Sequence, residues 1–227
     1  MSPRRAEQAG ATVADPRQIV RPGGDAAGGL ELVYRLEERI PLHGAATFRH
    51  VERWAISVLL DRDESGEDRA EIGYAHVLVF NLEPGVEIGD LVDHASGTWV
   101  DIDVTGPELH ETGKRRGRSE DRMLLLDRLW LEPEHRGRGL GPIVAAAAIG
   151  RLGRGCRLAA CYPAPFEDSS QQPEDRERSV DALGAIWSKV GFRQWRDGVW
   201  MLDLRETDMH ATLVELLAAR SRGASGP

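Results

Sequence analysis

The chain has 227 residues, of which 41% are hydrophobic and 29% are charged, and this size and composition are those of a single globular domain. A formal net charge of -8 argues against a protein that binds duplex nucleic acid, because phosphate contacts need a concentrated basic face. Cys156 and Cys161 are the only cysteines and cannot complete a metal site alone. We expect them to be reduced, as in a cytoplasmic protein, with a disulfide between them as the alternative.

The N-terminal segment, residues 1–29, is rich in Gly, Ala, Pro and charged residues, which predicts a disordered lead-in. Its twin arginine, Arg4 and Arg5, is not followed by an apolar stretch. No run in the chain approaches the roughly 18 apolar residues that cross a membrane. The sequence therefore predicts neither a signal peptide nor a membrane anchor.

Three runs rich in apolar residues follow, and they predict strands at residues 32–40, 53–60 and 70–82. The acidic loop DRDESGEDRA between the last two predicts a hairpin. Residues 83–121 are mixed in character and contain the turn segments EPG, ASG and TGP, so we expect an insertion with one short helix and one strand, GTWVDIDV. The basic stretch GKRRGR within it is interpreted as a solvated loop.

Regular structure resumes with MLLLDRLWL, residues 123–131, whose nearly continuous apolar character predicts a central strand buried on both faces, with Asp127 as the exception. A glycine turn follows at once. The pair Asp197 and Gly198 predicts a tight hairpin between two short strands. The other predicted elements are a helix at 141–152, a strand at 156–162, a helix over SVDALGAIWSKV with Ser179 as its N-cap, and a last amphipathic helix at 208–220.

The turn RGRGLG, residues 136–141, has the composition of an anion site. A buried strand that leads into a helix through glycines puts backbone N–H groups at the positive end of the helix dipole. Glycine suits Gly137, Gly139 and Gly141 because a Cβ would hold a phosphate away from the amides and because some turns need a positive φ. The spacing matches neither the nucleoside triphosphate motif GxxxxGK(S/T) nor the dinucleotide motif GxGxxG.

The pattern Arg136-x-x-Gly139-x-Gly141, after the strand segment RLWLEPEH, resembles the acyl-CoA signature of the GNAT family of N-acetyltransferases, Gln/Arg-x-x-Gly-x-Gly/Ala. Further along, IWSKVGFRQW resembles the family's closing helix and the Gly-Phe that opens its sixth strand. The stretch GFRQWRDGVWMLDL then fits the family's final pair of strands. The resemblance covers residues 123–204 well and the two earlier strands loosely.

The resemblance implies an α/β (α+β) fold with a central mixed, mostly antiparallel sheet, flanked by helices and splayed into a V between the family's fourth and fifth strands. Acetyl-CoA, the acyl donor, would lie in the cleft, and no metal is implied. The strand backbone would pair with the pantetheine amides, and the turn amides would hold the pyrophosphate. The matching positions are Leu129, Trp130 and Leu131 on the strand and Arg136, Gly137, Arg138, Gly139, Leu140 and Gly141 in the turn.

Acyl transfer from a thioester to an amine needs a base for the amine and a proton for the departing thiolate. Asp127 is the first candidate for the base, since burial in an apolar strand would raise its pKa; a salt bridge to Arg128 or another arginine is the alternative. The family often has a tyrosine as the acid four residues before the Gly-Phe, but this chain has Trp187 there, and an indole cannot deliver a proton. Tyr162 is the candidate that replaces it, with water as the alternative. Weaker candidates are Glu71, Tyr74, His76 and Glu132.

These expectations describe a GNAT-type N-acetyltransferase at residues 30–207, with 83–121 as an insertion and 208–227 as a C-terminal helix and tail. It would transfer acetyl from acetyl-CoA to a primary amine of a small molecule or peptide, by direct attack in a ternary complex. A non-catalytic acyl-CoA-binding module is the main alternative, and the acidic charge disfavours an enzyme that acetylates charged tRNA. We expect no nucleic acid or membrane partner, and a homodimer stays open. The acidic or mixed loops at 83–121 and 163–178 would form an acceptor wall that suits a cationic amine.

Overall fold

The computed structural model describes residues 17–20, 29–40, 51–61, 68–81, 122–162, 182–195 and 199–224. They form a mixed sheet of eight strands with helices packed against it, which is the α+β arrangement expected. The strands are β1 (Arg17–Val20), β2 (Leu30–Ile40), β3 (Val51–Asp61), β4 (Arg69–Asn81), β5 (Arg122–Leu131), β6 (Cys156–Cys161), β7 (Arg193–Gln194) and β8 (Trp200–Asp203). The helices are α1 (Leu140–Leu152), α2 (182–188) and α3 (Met209–Ala224), and a short 3-10 helix, Pro133–His135, precedes α1.

The sheet is mostly antiparallel, with strand order β1-β2-β3-β4-β5-β6-β8-β7. Among the described strands, every neighbouring pair is antiparallel except β5 and β6. The first five strands therefore follow one another as a meander. The parallel pair needs a crossover connection, and α1 provides it.

One face of the sheet, which we call the helix face, packs against α1 and carries the main hydrophobic core. The α1 residues from Ile143 to Ile149 are all buried, and four of them are consecutive alanines. Their small side chains let the helix approach the sheet closely, while α3 packs against α1 as well. Burial on both sides explains why α1 is apolar all round rather than amphipathic.

The other face of the sheet, which we call the second face, changes in character along β4. Val77 and Val79 belong to the helix-face core, so the alternating residues between and beside them point the other way. Leu78 is buried on the second face, whereas Tyr74 and His76 are half-buried. The second face therefore becomes polar toward the start of β4, which pairs with the last residues of β5.

The strands predicted at 32–40, 53–60, 70–82, 123–131 and 156–162 and the helix at 141–152 are confirmed with ends that shift by one or two residues, and the last helix continues to Ala224. The helix predicted over SVDALGAIWSKV is helical at 182–188, and its start lies outside the described residues. The prediction of a wholly disordered lead-in is wrong for residues 17–20, which pair with β2 as an edge strand. A four-residue edge strand is stabilised by backbone pairing with its neighbour, so it carries little apolar pattern of its own. The insertion at 83–121, Ser179 and the turn at Asp197 and Gly198 lie outside the described residues.

Both cysteines are free and buried, which confirms the expectation of reduced thiols. Burial raises the pKa of the Cys156 thiol to about 11. Burial also raises the pKa of the Cys161 thiol well above its usual value. The two residues therefore stay protonated at neutral pH and pack as small apolar side chains.

Gly191 supports a specific prediction about stability, because its φ is +105° and an added Cβ would lie 3.1 Å from Cδ1 of Leu202. We expect Gly191→Ala to lower the free energy of unfolding by about 1–3 kcal/mol, since the backbone must shift or stay strained. Gly223→Ala is the matched control: a Cβ there meets nothing within 4 Å in α3, so stability should stay the same or rise by up to about 1 kcal/mol. Urea unfolding followed by circular dichroism measures both, and equal losses in the two variants would contradict the argument.

Candidate functional site

The parallel strands β5 and β6 pair over the whole length of β6 but only over the first half of β5. The register runs from Arg122 opposite Cys156 to Leu126 opposite Cys161, where β6 ends. β5 continues to Leu131 and pairs there with β4 on its other side. Among the described residues, no strand pairs with the second edge of residues 127–131.

Asp127 lies where this pairing stops. On the β4 side, Leu126 is opposite Val77 and Arg128 is opposite His76, so Asp127 is an extra residue in β5, a β-bulge. A bulge bends a strand and increases its twist, so we expect β5 to change direction just where β6 ends; we call this place the fork. The candidate base of the sequence analysis therefore sits at the fork between the two strands.

The turn RGRGLG follows β5 and begins α1. Gly137 has φ of +72° and Gly139 has φ of +73°, which confirms the expectation that this turn uses the left-handed region. A Cβ at either glycine would meet nothing within 4 Å, so space for a ligand lies in front of them. Gly141 differs, because it belongs to α1 and a Cβ there would be in ordinary contact with Leu129 at 3.9 Å.

The backbone amides of the turn differ in their availability. Arg136 donates its amide to the Pro133 carbonyl oxygen at 3.2 Å, so this amide is already used. No described side chain caps α1 at Gly139, and the amides of Leu140 and Gly141 lie in the first helical turn, where the helix itself offers no acceptor. The amides between Gly137 and Gly141 are thus the donors that a bound anion would meet.

The Arg136 side chain fastens the turn to β5. Its Nε donates to the Leu131 carbonyl oxygen at 2.8 Å, and its guanidinium carbon lies 5.7 Å from the centre of the Trp130 ring. Trp130 also stacks on Tyr74 at 5.7 Å, and Tyr74 lies 5.2 Å from His76. These side chains form what we call the aromatic ladder, which joins the turn to the second face near the bulge.

The electrostatics at Asp127 suit a base. Burial raises the pKa of the Asp127 carboxyl, and the positive charges of Arg128, His76 and Arg53 oppose this rise. The direction is the one predicted from its place in an apolar strand. Because the charges of Arg128 and Arg53 act on this carboxyl, the salt-bridge alternative stays beside the role of base. A carboxyl with a raised pKa is better matched to proton transfer near neutral pH.

Asp127 and Tyr162, the two candidates for proton transfer, lie at the same point of the sheet. Trp187, at the position where the GNAT family often has its acid, lies elsewhere. Tyr162 directly follows Cys161, so Asp127 and Tyr162 each lie one residue beyond the last paired residues of β5 and β6. Trp187 is 9% exposed and meets Phe192 edge-on at 6.0 Å within the main core. Trp187 is therefore a packing residue.

Glu71 and Glu132, two of the weaker candidates for the base, lie away from the fork. Glu71 and Glu132 line a cavity of about 150 Å³, together with His135. Nδ1 of His135 is buried and has no hydrogen-bond partner among the described residues. Neither Asp127 nor Tyr162 lines this cavity, so the structure does not bring these carboxylates into the fork.

Arg53 is a residue that the sequence analysis missed. It is opposite Leu78 in the β3–β4 pairing, so it lies on the second face, and it is half-buried. The alternation in VERWAISV predicts that Arg53 faces away from Trp54 and Ile56. The sequence pattern alone does not show that Asp127 and His76 lie on this same face. The pairing of β3, β4 and β5 shows it.

Comparisons of the chain with protein-family models and with curated proteins give no match. The described residues hold no group of three or more His, Cys, Asp or Glu side chains suited to a metal ion. None of their helices combines the length and the hydropathy required to cross a membrane. A function for the chain is therefore inferred from the fork and the turn.

The raised pKa of Asp127 predicts how stability depends on pH. Between the usual pKa of an aspartate and the raised folded value, the folded chain binds more protons than the unfolded chain, so this carboxyl lowers stability as pH rises through that window. We expect Asp127→Asn to be more stable than the wild type at about pH 8, with the difference shrinking toward about pH 3.5. Urea unfolding at both pH values measures this, and a wild type that gains on the variant as pH rises would indicate a stabilising ion pair instead.

Proposed function

We propose that the chain is an N-acetyltransferase that uses acetyl-CoA as its donor and has the splayed sheet of the GNAT family. The observation that supports the proposal is that parallel β6 ends opposite Leu126, whereas β5 runs on through Asp127 to the glycine turn with no described strand on that side. We infer that the sheet opens there into a cleft. Such a cleft suits a long, thin donor with a pyrophosphate at one end and a thioester at the other.

The turn would bind the pyrophosphate. The amides between Gly137 and Gly141 lie at the N-terminus of α1, where the helix dipole favours a negative charge. The open space in front of Gly137 and Gly139 supports this role. Arg138 is exposed beside them and would add a positive charge.

The free edge of β5 would pair with the pantetheine arm. Residues 127–131 span roughly 13 Å at about 3.3 Å per residue, a length on the scale of that arm when it is extended. Backbone groups alternate between the two edges of a strand, and Glu132 donates its amide to the Ile72 carbonyl oxygen on the β4 side. Leu129 and Leu131 therefore face the other edge, whereas Trp130 pairs with Tyr74 of β4. The backbone groups of Leu129 would bond to the pantetheine arm. The Leu131 carbonyl oxygen already accepts from Arg136 and has one lone pair left, so we assign it a smaller share.

At the fork, the donor thioester would lie beside Asp127 and Tyr162. Asp127 takes the proton of the acceptor amine, whose nitrogen lone pair attacks the thioester carbon and forms the C–N bond. The C–S bond then breaks, the amide product leaves, and the thiolate takes a proton from the Tyr162 hydroxyl or from water. Alignment of amine and thioester supplies a large part of the acceleration, and the proton transfers add to it.

A non-catalytic acyl-CoA-binding module is the second candidate, and one observation favours it. Trp187, at the position where the family often has a tyrosine acid, packs in the core against Phe192. Such a module would have the same donor site as the proposed enzyme. It would bind coenzyme A and release no thiol with any amine.

The donor site predicts the effect of side chains at the turn. We expect Gly139→Val to lower affinity for coenzyme A at least about tenfold, because the side chain would fill the space before the amides and disfavour φ of +73°. Gly139→Asn should also lower this affinity, although asparagine tolerates the left-handed region, because its side chain would fill the same space. Gly141→Ala, which needs no unusual φ, should bind as the wild type does. Isothermal titration calorimetry measures the three affinities.

Thermal unfolding serves as the control for these variants. Gly139→Asn should unfold within a few degrees of the wild type, roughly the shift that a change below 1 kcal/mol produces in a chain of this size. Coenzyme A affinity that survives both Gly139 substitutions, or its absence in the wild type, would remove the basis for the proposed function.

The fork predicts which substitutions slow turnover. We expect Asp127→Asn to lower kcat about 100-fold and Tyr162→Phe about tenfold, both with little change in coenzyme A affinity, because each removes a proton-transfer group. Thiol release from acetyl-CoA, followed with a panel of primary amines, measures kcat.

Three results would change this assignment. A wild type that binds acetyl-CoA and releases no thiol with any amine would favour the module. An unaltered pH-rate profile in Asp127→Asn would return Asp127 to a structural role, and an unaltered kcat in Tyr162→Phe would leave water as the acid.

A further inference from the structure

The second face is locally positive around Asp127, although the chain as a whole carries a net charge of -8. His76 and Leu78 lie on this face. Arg128 is opposite His76 in β5, and Arg53 is opposite Leu78 in β3. Both arginines are half-buried, so their charges are held near the sheet rather than spread into solvent. A molecule that reaches Asp127 from this face meets more positive charge than negative.

Arg53 and Asp127 lie on the same face of the sheet, on either side of β4. Two strand spacings separate β3 from β5, about 10 Å between backbones at about 4.8 Å per strand. The charge of Arg53 acts on Asp127, yet no ion pair joins the two in the described part of the chain. A guanidinium on one side and a carboxylate on the other are complementary to a small molecule with an anionic end and an amine end.

We propose that the acceptor is a small amine that also carries a carboxylate or phosphate-like group, which Arg53 binds while the amine faces Asp127. This inference rests on the proposed acetyl transfer and names the acceptor class for the same fork. It replaces the cationic acceptor suggested by the charge of residues 83–121 and 163–178, which lie outside the described residues.

Other acceptor classes fit this face less well. The second ammonium of a diamine would approach Arg53, and like charges at such a distance repel. A neutral alkylamine would leave the guanidinium of Arg53 to lose part of its hydration without a new partner. An aromatic acceptor gains little from Trp130, because Arg136 and Tyr74 already contact that ring.

The test compares four acceptors of similar length with acetyl-CoA as donor: γ-aminobutyrate, aminopropylphosphonate, butylamine and putrescine. We expect kcat/KM for the better of the two anionic amines to exceed that for butylamine about tenfold or more, the usual effect of one charge-assisted hydrogen bond, with putrescine below butylamine. The ranking of carboxylate against phosphonate identifies which anion the site prefers.

Variants of two arginines on the same face assign the effect. Arg53→Gln should bring the ratio of anionic to neutral acceptor close to one, mainly through a higher KM for the anionic amine, while Arg53→Lys should keep part of the preference. Arg35→Gln is the matched control: Arg35 is exposed on β2 and aligns through Ala55 with His76, so it makes the same charge change one strand further from Asp127. Its preference should equal that of the wild type.

The outcomes separate this inference from the proposed function. A wild type that binds coenzyme A and uses butylamine or putrescine best, or uses none of the four, overturns the acceptor class and leaves the donor site standing. An unchanged ratio in Arg53→Gln overturns the role of Arg53. A wild type that binds no coenzyme A removes the proposed function itself.

Discussion

β4 and β5 remain paired on both sides of Asp127, where β5 has one residue more than β4. A strand with an extra residue bends, and at that residue the pairing with β6 ends. The bend leaves a strand edge without a described partner, brings a carboxylate to the fork, and lets the end of β5 run on to the turn before α1. With regular pairing throughout, β6 would be able to occupy the edge that the proposed donor needs.

The turn keeps its position on β5 through Arg136. Because the guanidinium contacts Trp130 while Nε bonds to the Leu131 carbonyl oxygen, one side chain connects the glycine turn to the strand that would carry the pantetheine arm. The aromatic ladder extends this connection across to β4. A shift of the turn would therefore disturb the same strand end that lies beside the fork, so donor site and fork are mechanically joined.

Much of this architecture follows from patterns that the sequence displays. Apolar runs and glycine turns predicted β2 to β6, α1 and the left-handed φ of Gly137 and Gly139, because each depends on residues close together in the chain. The bulge, the edge strand β1 and the contact of Arg136 with Trp130 depend on which residues lie across from one another, and local pattern does not contain that information. Arg53 was missed for the same reason: its face was predictable, and its neighbours on that face were not.

The two sides of the proposed cleft also differ in how much freedom they have left to lose. The helix whose N-terminus would meet the donor is built around four alanines, which have no side-chain rotamers to restrict, and it is packed before any ligand arrives. The acceptor side presents the long side chain of Arg53, which has far more rotamer freedom than an alanine to lose when a ligand binds. Most of the contact energy of the donor would then appear as affinity. Part of the contact energy of the acceptor would instead be used to order the site. This asymmetry favours a tightly held donor and a readily exchanged acceptor.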